Sequence, residues 1–312
     1  MRGRQLHNQP EQSHQHPFLV ELWDEVRSAT SGAVDISVHA RNAGVIGSDP
    51  RVLEMLVAGE VELATMMGPL IGALVPAAEI QGLPFAFQGS AQAHAAFDGP
   101  LGDFLREEMK SKGIYAVPGG TLENGFRHIC SVDRTVQAPE NLAGYRMRVP
   151  AGRILGELFE ALGATPVTVN IDGLYAALKE GRVDGHENPL AITEANRLDE
   201  VTAKISLTNH VWSGFNLIAN LGFWNALPQA AQEAIHRAAK RHVARQRAHT
   251  VRLNQALEGR LKQKGMQVDP VDQAPFRARL GDAFYARWKE RCGSKAWQLL
   301  QEATGKRWCV PD

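Results

Sequence analysis

Cysteine is scarce in this sequence. The 312 residues contain Cys130, Cys292 and Cys309, with neither CxxC nor zinc-finger spacing, so we expect no metal cage, no redox motif and no cofactor. One disulfide is compatible with an oxidising compartment, and Cys292 and Cys309 are then the better pair, because both lie in the last segment of the chain. Three separate thiols are the alternative.

Net charge and long apolar runs are also lacking. Lysine plus arginine number 34 and aspartate plus glutamate number 34, so no overall charge draws the molecule to nucleic acid or to an anionic membrane. No apolar run reaches the roughly 18 residues of a bilayer-spanning helix, and we expect a soluble protein without direct membrane insertion. The start, MRGRQLHNQPEQSHQH, has no apolar signal segment. Taken alone, it favours the cytosol, with a missing leader as the alternative.

The common catalytic motifs are absent. The sequence contains no GxGxxG, Walker P-loop, GxSxG or HExxH, which excludes the commoner phosphate cradles, nucleophile elbows and zinc-protease helices. DGHENP brings His186 next to Glu187. Adjacent side chains on an extended segment point to opposite faces, so these two residues are poorly placed to act together as an acid and a base.

The length and the periodic segments predict two α/β lobes. A single core stops growing at about 250 to 300 residues, which favours two domains here. Residues 16–32 predict an amphipathic helix, and residues 33–40 alternate between apolar and polar side chains, which is typical of a strand. Residues 47–59 predict a second helix, with Ser48 or Asp49 as its N-cap and Gly59 as its C-cap.

The same order of signals returns downstream. Residues 165–185 predict a strand at Val167 to Val169, a helix capped by Asp172, and a turn at Gly181. The repeated order of strand, helix and turn gives mild support to two lobes of similar α/β structure. From Pro228 to about Lys264 the pattern predicts one very long helix, or two abutting helices, that could brace both lobes.

Two arginines precede a proline in GYRMRVPAGR, residues 144–153. On an extended segment Arg146 and Arg148 lie on the same face. Each could pair with a surface acid, which contributes little stability. Alternatively, one guanidinium faces a cleft and binds a carboxylate through two hydrogen bonds. The residues alone leave both interpretations open.

Several segments, spread over nearly the whole chain, occur in an order typical of one protein family. They are GYRMRVPAGRILGELFEALGATPVTVN, LYAALKEGRVDGHENP, IGSDPRVLEMLVAGEVELA, GLPFAF, HAAFDGPLG and ENGFRHI. Together they resemble the substrate-binding proteins of tripartite ATP-independent periplasmic (TRAP) transporters. The resemblance implies a two-lobed α/β fold of the periplasmic-binding-protein type, with a ligand cleft between the lobes and a long helix spanning both. It assigns residues 1–123 and 214–250 to lobe I, and residues 124–213 and 251–312 to lobe II.

The resemblance also implies a set of ligand-binding residues. The family arginine of the RVP motif falls on Arg148, a second arginine on Arg127 and the asparagine of ENP on Asn188, all three converging on one substrate carboxylate. Arg146 is then left to pair with a surface acid. The other positions implied to line the cleft, several of them apolar and typical of a greasier pocket, are Asn8, Met67, Gly68, Ile171, Trp212 and Phe215.

The implied function is binding without catalysis. The protein would capture a small organic carboxylate in the periplasm, close its lobes by hinge motion and deliver the ligand to the membrane subunits of the transporter. It would act as a monomer, and a signal peptide would be expected upstream of Met1.

Two other interpretations remain open at this point. One is a cytosolic enzyme for a small carboxylic acid, with Arg148 orienting the substrate and Glu187 or His186 as the base. The other is the ligand-sensing domain of a regulator, which the absence of a helix-turn-helix segment disfavours.

Overall fold

A computed structural model describes residues 1–308. In this part of the chain, one continuous sheet has the strand order β2-β1-β3-β8-β4-β7-β5-β6, and β9 pairs with β8. The strands are β1 (Arg2–Leu6), β2 (Asp35–His39), β3 (Leu63–Met67), β4 (Ile114–Ser131), β5 (Arg146–Val149), β6 (Thr165–Thr168), β7 (Gly185–Asn188), β8 (Lys204–Asn220) and β9 (Gln267–Pro270). The helices are α1 (His16–Ala29), α2 (Ser48–Ala58), α3 (Gly68–Ile71), α4 (Ser90–Asp98), α5 (Pro100–Lys110), α6 (Arg153–Ala161), α7 (Ile171–Lys179), α8 (Leu190–Ala195), α9 (Leu221–Ala226), α10 (Gln229–Gln263), α11 (Ala274–Cys292) and α12 (Ser294–Thr304).

The two long antiparallel strands β4 and β8 join the lobes. The C-terminal half of β8 pairs with β3 in lobe I, whereas the C-terminal half of β4 pairs with β7 in lobe II. The β4–β8 register shifts near Gly125, between the two halves. Gly125 has φ +119°, and a Cβ there would lie 2.6 Å from Nδ2 of Asn254, so a side chain would be strained. The cleft opens beside this irregular crossing.

The predicted helices form where apolar spacing buries one face. In α1, Leu19, Leu22, Trp23 and Val26 are buried, as the three- and four-residue spacing predicts. α2 ends at Gly59, whose φ of +77° is the left-handed conformation of a C-cap glycine.

Both predicted N-cap positions are wrong. α2 is preceded by Gly47, and α7 by Asn170 rather than capped at Asp172. Asp49 is unavailable as a cap because its carboxylate accepts hydrogen bonds from Asn8 and Asn42.

The predicted long helix is a single helix of 35 residues, α10. It packs on α1 and β4 and, further along, on α8 and β9. Its His242 hydrogen-bonds Glu25 of α1 at 2.7 Å, and its Arg260 hydrogen-bonds Glu194 of α8 at 2.7 Å. α10 therefore contacts both lobes.

The last helix, α12, packs on α4 and α5. The resemblance assigns α12 to lobe II and the two helices that it contacts to lobe I. Trp297 and Leu300 of α12 are buried in the same apolar core as Phe97 and Leu101. Among the described residues, no helix has the length and apolar content to cross a membrane.

Candidate functional site

A cavity of about 370 Å³, including its opening to solvent, lies between the lobes. Residues of β3, β4, β5, β7 and β8 meet there with the β1–α1 turn and with the starts of α2 and α7. The lining residues are Asn8, Gln9, Asp49, Met67, Asn124, Arg127, Arg148, Pro150, Ala151, Asn170, Ile171, Asn188, Ile192 and Phe215.

Arg148 is a buried cation without a carboxylate partner. It lies on β5, between β6 and β7, and is 2% exposed. Its Nε donates to the carbonyl oxygen of Val169 at 2.7 Å. Within residues 1–308, no acidic side chain forms an ion pair with it. Burial lowers the pKa of the Arg148 guanidinium to about 10, against the opposing effect of the Glu187 charge.

Arg146, two residues earlier on the same strand, is exposed and paired. Its guanidinium donates to both carboxylate oxygens of Asp184, and its backbone N–H donates to the same carboxylate at 2.9 Å. This is the surface ion pair that was expected for Arg146. Of the two arginines, only Arg148 faces the cavity.

Arg127 is buried against an acid. Its Nε and Nη2 donate to the two carboxylate oxygens of Glu187, and Nη2 also donates to the Glu187 carbonyl at 2.6 Å. His210 contacts the same carboxylate through Nε2 at 3.2 Å. Burial by itself raises the pKa of Glu187, but the charge of Arg127 and the hydrogen bonds bring this pKa down to about 2. Arg127 and Glu187 thus neutralise each other.

Asn188 contacts Arg127 and lines the same cavity as Arg148. Its Oδ1 accepts from Nη2 of Arg127 at 3.1 Å, and its Nδ2 donates to Nδ1 of His186 at 3.1 Å. These contacts fix which way the amide faces. The structure therefore brings Arg127, Arg148 and Asn188 to one cavity.

Asp49 also lines the cavity, and sequence reasoning missed it. Its two oxygens accept from Nδ2 of Asn8 at 2.7 Å and from Nδ2 of Asn42 at 2.8 Å. Burial raises its pKa, while both amides and the charge of Arg148 lower it. The sequence signal for this residue, an acid just before Pro50, is also that of a helix N-cap, so the two roles could not be separated.

A directional chain of amides leads across the cleft to Asp49. Nδ2 of Asn196, from lobe II, donates to Oε1 of Gln9 at 2.9 Å. Nε2 of Gln9 donates to Oδ1 of Asn8 at 2.8 Å, and Asn8 donates to Asp49. A second cross-cleft bond runs from Nδ2 of Asn170 to the carbonyl of Gly47 at 3.2 Å. The lobes are therefore in contact on both sides of the cavity.

The apolar lining is partly as the resemblance implied. Met67, Ile171 and Phe215 lie on the cavity wall. Of the fourteen lining residues, eight are polar or charged and six are apolar.

Gly68 and Trp212 lie outside this cavity. Gly68 lines a separate cavity, where its N–H donates to Oε1 of Gln81 at 2.5 Å. Trp212 stacks on Phe97 at 5.3 Å, and its Nε1 donates to Glu123 at 3.0 Å, within the lobe I core. Trp212 lies three residues before the lining residue Phe215 on β8, and odd spacings along a strand alternate between faces. Gly68 follows the last residue of β3 and begins α3.

The groups that an enzyme would use as an acid or a base are not free to act. Glu187 is held by Arg127, and burial lowers the pKa of His186 to about 3. Burial raises the pKa of the Cys130 thiol to about 12. The disulfide between Cys292 and Cys309, one of the two alternatives that the sequence leaves open, is not tested, because Cys309 lies outside the described residues. Within residues 1–308, no group of three or more His, Cys, Asp or Glu side chains is arranged to hold a metal ion.

Comparisons with known proteins agree on one family. Residues 6–290 match the family described as bacterial extracellular solute-binding protein, family 7. A solute-binding protein of Verminephrobacter eiseniae is 30% identical over 93% of this chain and 86% of its own length. The C4-dicarboxylate-binding periplasmic protein of Rhodobacter capsulatus is 30% identical over 67% of this chain and 62% of its own length.

A solved structure has the same fold. The TRAP periplasmic solute-binding protein of a Polaromonas species, bound to D-erythronate, superposes with a TM-score of 0.90 at 27% identity. The match covers 96% of this chain and 98% of that one. The two-lobed fold is therefore confirmed.

Proposed function

We propose that this chain captures a small organic carboxylate through the guanidinium of Arg148. The chain belongs to family 7 of the bacterial extracellular solute-binding proteins. The supporting observation is that Arg148 is buried in the cleft with one carbonyl partner and no acid. A buried charge is costly unless it is paired. A ligand carboxylate would supply the missing counter-charge.

Family membership confirms several expectations from the sequence. The chain is related to the solute-binding proteins of TRAP transporters, which are binding proteins rather than enzymes and act in the periplasm. The cytosolic location that the first residues favour is therefore wrong, because this family acts in the periplasm.

Arg127 and Asn188 would complete the clamp. Nη1 of Arg127 contacts the Met67 sulfur at 3.6 Å and has no hydrogen bond to oxygen among the described residues. We propose that Nη1 of Arg127 and the second N–H of Asn188 reach the carboxylate held by Arg148. Met67, Ile171 and Phe215 would pack on the carbon skeleton of the ligand, while Asn8 orients Asp49.

Binding would favour the closed form. A ligand that contacts both lobes stabilises closure by its differential affinity for the closed state. The closed, loaded monomer would then deliver the ligand to the membrane subunits of a TRAP transporter. The relatives that bind D-erythronate and C4-dicarboxylates support the ligand class, a small organic acid.

We propose revised lobes as well. Lobe I would comprise residues 1–123, 214–250 and the α12 segment, and lobe II residues 124–213 with the segment that follows residue 250 up to β9. The packing of α12 on α4 and α5 supports this change from the first boundary.

A thermal-shift screen with a panel of carboxylic acids tests the proposal. A ligand at about 100 times its Kd adds roughly 2.7 kcal/mol to stability, a shift that is easily measured. Arg148→Ala should weaken binding of any hit by about 30-fold or more, since removing one partner of a buried charge pair costs about 2 to 5 kcal/mol. The matched control is Arg146→Ala on the same strand, which should bind normally. Equal affinity of the wild type and Arg148→Ala would refute the clamp.

A further inference from the structure

Asp49 is a buried hydrogen-bond acceptor in the ligand cavity that the carboxylate clamp does not use. It is 7% exposed and lines the same cavity as Arg148. No cation forms an ion pair with it among the described residues. An acid placed here would repel a carboxylate ligand, so its presence requires another explanation.

The contacts of Asp49 leave part of its capacity free. An ionised carboxylate offers about four lone-pair sites on its two oxygens. One amide N–H occupies each oxygen, from Asn8 on Oδ2 and from Asn42 on Oδ1. The remaining sites can accept only from a donor inside the cavity.

The surroundings hold Asp49 as an acceptor rather than a donor. In the hydrogen-bonded series Asn196, Gln9, Asn8, each side-chain amide donates to the next residue, and Asn8 donates to Asp49. A series of donors in one direction requires an acceptor at its last position, which is Asp49. On the other side, Asn42 sits in a run of three non-glycine residues with positive φ, between 49° and 53°. Such conformations cost of order 1 to 3 kcal/mol each and persist where the surrounding structure requires them.

From this geometry we infer that Asp49 accepts a hydrogen bond from a hydroxyl group of the bound acid, so that the ligand is a hydroxylated monocarboxylate. The inference rests on the proposed function: the carboxylate binds Arg148 and a hydroxyl further along the molecule binds Asp49. Ligands without a hydroxyl leave Asp49 unpaired in a closed cleft. Ligands with a second carboxylate place it against the charge of Asp49 and are rejected.

Hydrogen bonds to charged groups contribute about 1.5 to 3 kcal/mol, which corresponds to roughly 10- to 150-fold in affinity. We therefore expect the wild type to bind D-erythronate at least 10-fold more tightly than butanoate, or D-gluconate at least 10-fold more tightly than hexanoate. Succinate and adipate should bind more weakly than the hydroxy acid of the same length. This comparison needs no mutation, so it does not depend on how well a variant folds.

Titration calorimetry on the full chain with these six acids, using the wild type and Asp49→Asn, tests the inference. Asp49→Asn should lose about 10-fold or more for the hydroxy acid and gain affinity for the diacid, a gain that damage to the fold cannot produce. Asp184→Asn, which removes a surface carboxylate, is the matched control and should leave the ranking unchanged. An Asp49→Asn protein that ranks the acids as the wild type does would overturn the role of Asp49 while leaving the Arg148 clamp standing. If Arg148→Ala binds these acids as the wild type does, the clamp itself fails.

Discussion

Arg127 and Glu187 are bound to each other inside the protein, with two guanidinium nitrogens on the two carboxylate oxygens and side chains 2% and 0% exposed. They are 60 residues apart in the sequence and lie on β4 and β7. This pairing leaves Arg148 as the cation without a paired acid among Arg127, Arg148 and Glu187. The charge available for a ligand thus comes from Arg148.

Removing the charge of Glu187 should destabilise the fold strongly. Glu187→Gln leaves the Arg127 guanidinium buried without a counter-charge, and breaking a buried pair in this way costs about 3 to 5 kcal/mol. Urea unfolding measures the loss. Asp184→Asn, which breaks the exposed Arg146 pair, is the control and should cost no more than about 1 kcal/mol. Equal losses in the two variants would contradict the assignment of the buried pair.

Replacing Arg148 should have the opposite effect on the unliganded protein. Arg148→Met removes an unpaired buried cation and fills its place with apolar volume, so we expect the free energy of unfolding to rise by about 1 kcal/mol or more. Ligand binding should be lost in the same variant. Urea unfolding without ligand and calorimetry with ligand measure the two effects. A large destabilisation of Arg148→Met would show that Arg148 serves the fold rather than the ligand.

The amide chain across the cleft should favour the closed form. Gln9→Ala removes the bond to Asn196, and one hydrogen bond of about 0.5 to 1.5 kcal/mol corresponds to a 2- to 12-fold shift toward the open form. Small-angle X-ray scattering should show a larger radius of gyration for unliganded Gln9→Ala than for the wild type. Gln298→Ala, on the exposed face of α12, is the control and should leave the radius unchanged. An unchanged radius in Gln9→Ala would mean that other contacts determine closure.

Stability should fall as the pH drops below about 6.5. Burial lowers the pKa of His7, His128 and His186 to about 3, so between pH 6.5 and 3 the unfolded chain binds protons that the folded protein does not. For each such histidine, the free energy of unfolding should fall by about 2 kcal/mol between pH 7 and pH 5. Below pH 4.5, protonation of Glu187 in the unfolded state acts in the same direction, because its folded pKa is about 2.

Urea unfolding at pH 7 and pH 5 measures this effect. His128→Asn removes one such group, whose side chain does not line the binding cavity, and we expect its stability to fall less between the two pH values than that of the wild type. An identical pH dependence in the two proteins would show that His128 is not protonated on unfolding.

Much of the fold follows from local sequence signals. The apolar spacing of α1 and the glycine after α2 are sufficient to place those helices, and the length of α10 follows from an uninterrupted pattern. Arg148 was found through a resemblance, because no local rule separates it from Arg146. The two arginines differ in whether the surrounding structure buries the side chain.

The rest of the site depends on contacts that a single sequence does not encode locally. The partner of Arg127 comes from another strand, and the direction of the amide chain depends on residues from three separate segments. Strand parity would have excluded Trp212, since it lies three positions from the lining residue Phe215 on the same strand. The β4–β8 irregularity at Gly125 weakens such counting nearby.

The length of α10 bears on how the protein melts. Its 35 residues extend about 50 Å at 1.5 Å per residue, and it is bonded to α1 near its middle, at His242, and to α8 near its C-terminal end, at Arg260. Neither half of the molecule can lose its structure without fraying a helix that the other half also needs. Calorimetric heating should accordingly give one cooperative peak, in which both halves come apart together.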